Sequence, residues 1–116
     1  MGRRKAAQNV AISPWFSAKP DNKEGRFIQV GNSLMLSKTF QSLRYSTQRL
    51  YECMGMESAG RKEFVFPQKT AEKYGFTNKT LIAGVRELQE KGFIKVISGR
   101  NTRQPNLYSF SCDWKL

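Results

Sequence analysis

Histidine, the commonest catalytic residue, is missing from this sequence, and the side chains that could do chemistry are mainly cationic and carboxamide groups. The 116 residues include no histidine, which removes the usual general base and the Ser–His and Cys–His nucleophile pairs. Cys53 and Cys112 form no C-x-x-C pair, whereas a structural zinc site normally takes four Cys or His ligands. The glycines near residue 55 lack the spacing of a phosphate-binding loop. We therefore expect no enzymatic activity, no metal and no cofactor, and no small-molecule ligand is evident.

The charge balance points to a negatively charged partner. Lys and Arg outnumber Asp and Glu by 20 to 9, which gives a net charge of +11 and a pI near 10.1. Such an excess is typical of nucleic-acid binding, and a merely solvated basic surface is the alternative. Residues 61–103 hold ten basic and four acidic side chains, so more than half of the excess lies there. No apolar run reaches the length of a membrane span and no signal peptide is recognisable, which predicts a cytoplasmic protein with reduced thiols and no membrane partner.

Many of these polar and basic side chains stand in one stretch, FTNKTLIAGVRELQEKGFIKV, at residues 76–96. Leu81, Val85 and Leu88 recur at steps of four and three, which is the apolar face of a helix. Thr77 precedes this run and can cap the helix N-terminus. A glycine then ends the helix, and the apolar residues after it predict a strand. The first turn of the helix therefore presents only hydrogen-bonding side chains.

The segments that must position this helix have periodicities of their own. A short strand is predicted over residues 27–30, and a long first helix begins with Ser37 as its N-cap. The apolar face of that helix consists of Phe40, Leu43, Thr47, Leu50, Tyr51 and Met54. Another strand follows over residues 61–66, and then a short second helix that Gly75 closes.

The two ends of the sequence are predicted to differ, with a tail at the N-terminal end and strands at the C-terminal end. Residues 1–26 carry a net charge of +4 with several Pro, Gly, Ser and Asn residues, which predicts a basic N-terminal tail or arm. Within that tail, Trp15 and Phe16 are expected to pack on the body of the domain, because they have apolar surface to bury. At the other end, the turn cluster GRNTRQPN separates the strand at 93–98 from a last strand at 107–111.

The predicted order is helix, strand, helix, turn, helix and β-hairpin, and the sequence resembles a winged helix-turn-helix DNA-binding domain. The residues that fall on the family pattern are Thr80, Leu81, Gly84, Val85, Glu87, Leu88, Gly92, Phe93 and Ile94. The resemblance implies an α+β domain over residues 27–116, with a three-helix core, a recognition helix at about 78–91 and a wing at about 93–111. A finer similarity is to the N-terminal module of RepA-type plasmid replication initiators and related small mobile-element proteins. It rests on the long first helix and on Tyr108, Phe110 and Trp114.

The helix-turn-helix geometry assigns candidate contacts, since the second helix enters the major groove while the first crosses the DNA backbone. Asn pairs with adenine, Lys and Arg pair with guanine, and Ile or Ala can touch the thymine methyl group. The candidates on the recognition helix are Asn78, Lys79, Thr80, Ile82, Ala83 and Arg86. Those on the preceding helix and the wing tip are Lys69, Thr70, Lys73, Arg100 and Arg103. A plain turn role for Asn78 and a solvated turn around the wing arginines stay open.

The expected function is sequence-specific binding of double-stranded DNA. The resemblance implies a bacterial transcription regulator or a replication or maintenance factor of a plasmid or integrative element, associated with the nucleoid or plasmid. It also leaves open a homodimer on a palindromic site. The alternative keeps the fold and changes the partner to a protein or RNA, without base-specific readout of DNA. A small nuclease is disfavoured by the missing histidine and the scattered carboxylates.

Overall fold

A computed structural model describes residues 11–13, 16–21, 25–98 and 106–115 of the chain. In chain order its elements are β1 (Ala11–Ser13), β2 (Phe16–Asp21), β3 (Gly25–Val30), α1 (Asn32–Met35), α2 (Lys38–Gln41), α3 (Tyr45–Ser58), β4 (Glu63–Val65), α4 (Gln68–Lys73), α5 (Asn78–Glu90), β5 (Ile94–Ser98) and β6 (Leu107–Phe110), followed by a 3₁₀ turn (Asp113–Lys115). The predicted α+β class is therefore confirmed. Within the described ranges, no helix is both long and apolar enough to cross a bilayer.

The first sheet corrects the prediction of a tail over residues 1–26. Its strands lie in the order β1-β2-β3, and β2 pairs with β3 in an antiparallel register from Phe16↔Val30 to Asp21↔Gly25. Phe16 is 1% exposed, as the expectation of packing required, and its ring stacks on Tyr51 of α3 at 4.7 Å between centroids. This burial stabilises a strand that the local Pro and Gly content obscures. Trp15 lies outside the described residues.

The first helix is not continuous, which is a second correction. Ser37 does act as an N-cap, since its Oγ accepts a hydrogen bond from the Phe40 amide at 3.2 Å, but α2 ends after one turn. The side-chain amide of Gln48 donates to the carbonyl oxygens of Phe40 and Leu43, at 3.2 and 3.0 Å, and so connects α3 to the chain on the other side of the break. The predicted apolar face is nevertheless buried from Phe40 through Met54.

The core is an aromatic cluster between the helices and both sheets. Tyr51 of α3 lies at its centre, stacked on Phe16 and edge-on to Phe40, Phe93 and Phe110 at 5.4 to 5.9 Å. Desolvation raises the pKa of the Tyr51 hydroxyl far above its usual value, with a smaller contribution from Cys112. The hydroxyl therefore stays neutral at any physiological pH. The ring of Tyr51, through its stacking on Phe16, holds the first sheet to the rest of the domain.

The second sheet has the order β4-β6-β5, with β6 antiparallel to both neighbours. Its central strand buries Tyr108 and Phe110 on one face, and β4 adds Phe64 to that face through the Phe64↔Tyr108 pair. β5 follows α5 directly, because Gly92 adopts φ +87° and reverses the chain at the helix end. The strands predicted at 61–66, 93–98 and 107–111 are thus confirmed, with slightly shorter bounds.

Helix α5 confirms the prediction of a helix at about 78–91. Thr77 caps it as expected, because its Oγ1 accepts the Thr80 amide at 3.1 Å. Gly75, with φ +91°, ends the preceding short helix. Gly84 lies against α3, where an added Cβ atom would stand 2.6 Å from Cδ2 of Leu50. This close crossing presses α5 onto α3 and directs the remaining face of α5 outward.

Candidate nucleic-acid interface

Helix α5 has one buried face and one exposed face. Leu81 and Leu88 are buried, and Leu88 is 0% exposed. On the opposite side, Asn78, Lys79 and Arg86 are exposed, and Ile82 is 53% exposed. The three exposed polar residues are therefore brought to one side of a rigid element, at spacings of one, seven and eight along the helix.

The two cations on this face have no partner within the part of the chain that the structure describes. Neither Lys79 nor Arg86 forms an ion pair or a side-chain hydrogen bond there, and the same holds for Lys69 near the start of α4. An unpaired, hydrated cation keeps its full charge for an outside anion. These three side chains are consequently available to phosphate or to base edges.

Glu87 fixes the rotation of α5 on α3. Its Oε1 accepts from Oγ1 of Thr47 at 2.6 Å and from Nε of Arg44 at 3.0 Å. The same arginine donates to the carbonyl oxygen of Ala83 at 3.2 Å. Burial alone would raise the pKa of Glu87, but the hydrogen bonds from Thr47 and Arg44 outweigh it and hold that pKa below its ordinary value. The negative charge of Glu87 is thus offset by Arg44, which precedes α3.

The turn between α4 and α5 is anchored on α3 by a second set of contacts. Nη2 of Arg49 donates to the carbonyl oxygen of Tyr74 at 2.8 Å, and the guanidinium lies over the ring of Phe76. The hydroxyl of Tyr74 donates to Oε1 of Glu57 at 2.8 Å, which also receives Nζ of Lys73 at 3.2 Å. Burial, with the hydrogen bond to Glu57, raises the pKa of Tyr74 to about 12. Both ends of α5 are thus held by polar contacts with α3 or its neighbours.

The predicted site residues differ in how exposed they are and in whether they have internal partners. Lys73 forms an ion pair with Glu57, so its charge is less available to an outside anion than the charge of Lys69. Thr70 is half-buried, and Thr80 takes part in the helix cap through its amide and through a 3.0 Å bond from the Thr77 hydroxyl. Ala83 is also half-buried, and its carbonyl oxygen bonds Arg44. The two predicted wing arginines, Arg100 and Arg103, lie outside the described residues.

A cleft of about 380 Å³ opens beside the N-terminal half of α5. Its lining residues are Phe66, Pro67, Gln68, Asn78, Leu81, Ile82, Val85, Asn106 and Tyr108. Further along the helix, a shallow groove of about 460 Å³ continues past Ile82 and Val85 to Arg86, Gln89 and Glu90. Asn106, which precedes β6, and Tyr108, on β6, line the same cleft as Asn78, and no pattern in the sequence indicated this. That proximity follows from the antiparallel pairing of β4, β5 and β6.

Comparison with family models, with curated proteins and with solved structures finds no significant match for this chain. Within the described ranges, no three His, Cys, Asp or Glu side chains come together as metal ligands would. Cys53 is buried, Cys112 is exposed, and the two are not bonded to each other. The function is therefore inferred from the geometry and electrostatics of this surface.

Proposed function

We propose that this chain is a winged helix-turn-helix protein that binds double-stranded DNA in a sequence-specific manner. The observation that carries the proposal is the exposed face of α5, where Asn78, Lys79 and Arg86 stand together with no internal partner among the described residues. Carboxamide and cationic side chains at these positions match the hydrogen-bonding edges of bases in the major groove. In this proposal α5 is the recognition helix.

The arrangement of the elements supports the winged-helix assignment. Helices α4 and α5 are joined by residues 74–77, which include Gly75 with positive φ, as is usual for a helix-turn-helix unit. The antiparallel β5–β6 pair follows α5 at once and would form the wing, and β4 completes its sheet. Lys69, one residue into α4, would contact the phosphate backbone, where such contacts fix the register of the protein on the duplex.

The cellular role that fits a DNA-binding domain of this kind is transcription regulation, or replication or maintenance of a plasmid or integrative element. This part of the proposal rests on the sequence resemblance to RepA-type initiator modules. Binding as a homodimer to a palindrome belongs to the same proposal, because two-fold related helices would then meet successive major grooves. A localisation on the nucleoid or on plasmid DNA follows from the function proposed.

Selection from a random double-stranded DNA library, at low and at physiological salt, tests the function. We expect an enriched motif whose affinity falls with salt at a slope of about −0.9 for each phosphate neutralised. The double variant Lys79→Ala and Arg86→Ala should enrich no motif. Lys62→Ala provides a control, because it removes an exposed cation just before β4 that has no partner among the described residues, and it should keep the motif. Loss of all binding with salt and no enrichment for the wild-type protein would contradict sequence-specific binding.

A protein-binding adaptor is the second candidate, and the exposed side chain of Ile82 favours it. Ile82 is 53% exposed and adjoins both grooves beside α5, so a partner helix could bury it. Binding to an acidic protein or RNA partner would then depend on Ile82 and tolerate Lys79→Ala and Arg86→Ala. The same two variants, tested against duplex DNA, therefore separate the two candidates.

A further inference from the structure

Three carboxamide side chains from different elements line the cleft beside α5. Gln68 comes from the start of α4, Asn78 from the start of α5, and Asn106 directly precedes β6. Gln68 is partly engaged, since its Nε2 donates to Oε2 of Glu72 at 3.3 Å. The side chains of Asn78 and Asn106 form no hydrogen bond with any residue in the described ranges. Each of these two residues therefore keeps a free donor and a free acceptor at the mouth of the cleft.

The rest of the described lining is uncharged and mainly apolar. Among the lining residues that the structure describes, none is Lys, Arg, Asp or Glu. Ile82 and Val85 form part of the wall. Tyr108 also lines the cleft, and the residue as a whole is only 5% exposed. The cleft therefore combines apolar walls with carboxamide groups that have no partner within the described ranges.

This combination matches the major-groove edge of an A·T base pair better than that of a G·C pair. Adenine presents N7 as an acceptor and N6 as a donor, which one carboxamide satisfies together. Thymine presents a methyl group, which needs an apolar contact. Guanine, by contrast, is typically paired with Arg or Lys, and the cations Lys79 and Arg86 lie outside the cleft lining.

Because the proposed function brings duplex DNA to α5, we propose that the cleft recognises an A·T base pair. Asn78 bonds the adenine edge, and Asn106, reaching in from the base of the wing, bonds the same pair or the adjacent one. Ile82 and Val85 receive the thymine methyl group. Specificity at this pair thus comes from two elements, α5 and the residue before β6.

Atom-level changes in the selected duplex test the assignment. Replacing the thymine with uracil removes only the methyl group, and we expect about fourfold weaker binding, the value of one buried methyl group. The loss should shrink in Ile82→Ala, whose apolar contact is already gone. Replacing the adenine with 7-deazaadenine should weaken wild-type binding about fivefold or more and leave Asn78→Ala almost unchanged. Asn106→Ala should lower the preference for A·T at the same or the adjacent pair.

Gln89→Ala is the matched control, because Gln89 is an exposed carboxamide on the same helix but outside the cleft lining. It should leave the base preference and both analogue effects unchanged. Circular dichroism and thermal melting verify that each variant is folded before its binding is compared.

The outcomes separate this inference from the proposed function. An enriched motif without any A·T pair sensitive to Asn78→Ala and Asn106→Ala would overturn the inference while sequence-specific binding stands. Saturable binding of free adenosine or thymidine that displaces DNA would also overturn it, since the cleft would then be a small-molecule site. No enriched motif at all would contradict the proposed function itself. Methyl and N7 effects that disappear in the corresponding variants support the assignment.

Discussion

The two faces of α5 differ in how the rest of the chain engages them. On the inner face Leu88 is fully buried, and Glu87 binds Thr47 and Arg44 of the α3 region. On the outer face Lys79 and Arg86 contact no described residue through a hydrogen bond or ion pair. Both faces belong to one helix with one cap, so local sequence preferences cannot account for the difference. Tertiary partners decide which side chains stay available to an outside ligand.

The basic residues of the chain can be divided in the same way, into those that have internal partners and those that do not. Three described cations form ion pairs, and these pairs are Arg44–Glu87, Lys73–Glu57 and Lys95–Asp113. Arg49 is also engaged, through Tyr74 and the Phe76 ring. A net charge of +11 therefore overstates the number of side chains that can meet a nucleic acid. The position of the unpaired cations locates an interface better than the total charge does.

The largest expected contrast between the faces is in stability. Leu88→Ala should lower the free energy of unfolding by about 2–5 kcal/mol, because it leaves a cavity in a fully buried site. Ile82→Ala on the outer face should change it by no more than about 0.5 kcal/mol. Urea denaturation of both variants measures the difference. Similar losses for the two would mean that Ile82 is covered in the folded protein and that the outer face is not free.

The second contrast concerns binding. Lys79→Ala and Arg86→Ala should each weaken specific DNA binding by about 1–3 kcal/mol, since each would remove a contact made only with the ligand. Neither should alter the free energy of unfolding, as neither side chain has an internal partner among the described residues. Fluorescence anisotropy with the selected duplex and with a random duplex gives both affinities. Equal losses on the two duplexes would show that these residues contact phosphates and not bases.

A third, smaller effect depends on pH and concerns Glu87. Glu87→Gln keeps an acceptor for Thr47 but removes the ion pair with the half-exposed Arg44, so we expect a loss of about 1–2 kcal/mol at pH 7. The folded pKa of Glu87 lies below its ordinary value of 4.5. Its stabilisation is therefore complete above that value and disappears as the pH falls through the lowered folded pKa.

Urea denaturation at pH 7 and at about pH 3 measures this dependence, and the gap between wild type and Glu87→Gln should narrow at the lower pH. Glu90→Gln is the control on the same helix, because Glu90 is exposed and forms no ion pair in the described part of the chain. A gap for Glu87→Gln that is the same at both pH values would show that the carboxylate charge is not what holds α5.

The inner face of α5 was largely predictable from the sequence, and the identity of its polar partners was not. Steps of three and four, with Thr77 as cap, are local features, and they predicted α5 almost to its ends. That Glu87 would bond Arg44 depends on how α3 crosses α5, and the two residues are 43 positions apart. No local pattern in the sequence indicates this pairing.

The N-terminal strands show why other parts could not be predicted. Pro20 and the residues around it favoured a tail, but the strand that contains Pro20 is stabilised from a distance by the burial of Phe16 against Tyr51 and Gly55. β1 pairs with β2 only at Phe16 and Ser17 and does not extend to Pro20. On the β1 side of the strand, therefore, no described residue needs a hydrogen bond from the backbone amide proton that proline lacks. Long-range packing, together with a neighbouring strand that does not extend as far as Pro20, outweighed the local signal.

The smallest net effect on stability is expected at Gly84, where two opposing contributions partly cancel. An alanine here would bring its Cβ atom to 2.6 Å from Cδ2 of Leu50, a side chain that is itself fully buried and has little room to move. Overpacking of this kind costs about 1–3 kcal/mol, whereas replacing glycine within a helix gains about 1 kcal/mol of helix propensity. Gly84→Ala should therefore lower the free energy of unfolding by about 1 kcal/mol.

The sign of the Gly84 effect should depend on Leu50, which makes the close crossing of α3 and α5 testable. In a Leu50→Ala background the clash is absent, so Gly84→Ala should raise the free energy of unfolding by about 1 kcal/mol, the helix-propensity gain alone. A double-mutant cycle by urea denaturation measures this coupling. If Gly84→Ala has the same effect in both backgrounds, the two helices do not cross as closely as described. The outward direction of Lys79 and Arg86 would then lose its structural basis, because that crossing sets which face of α5 meets solvent.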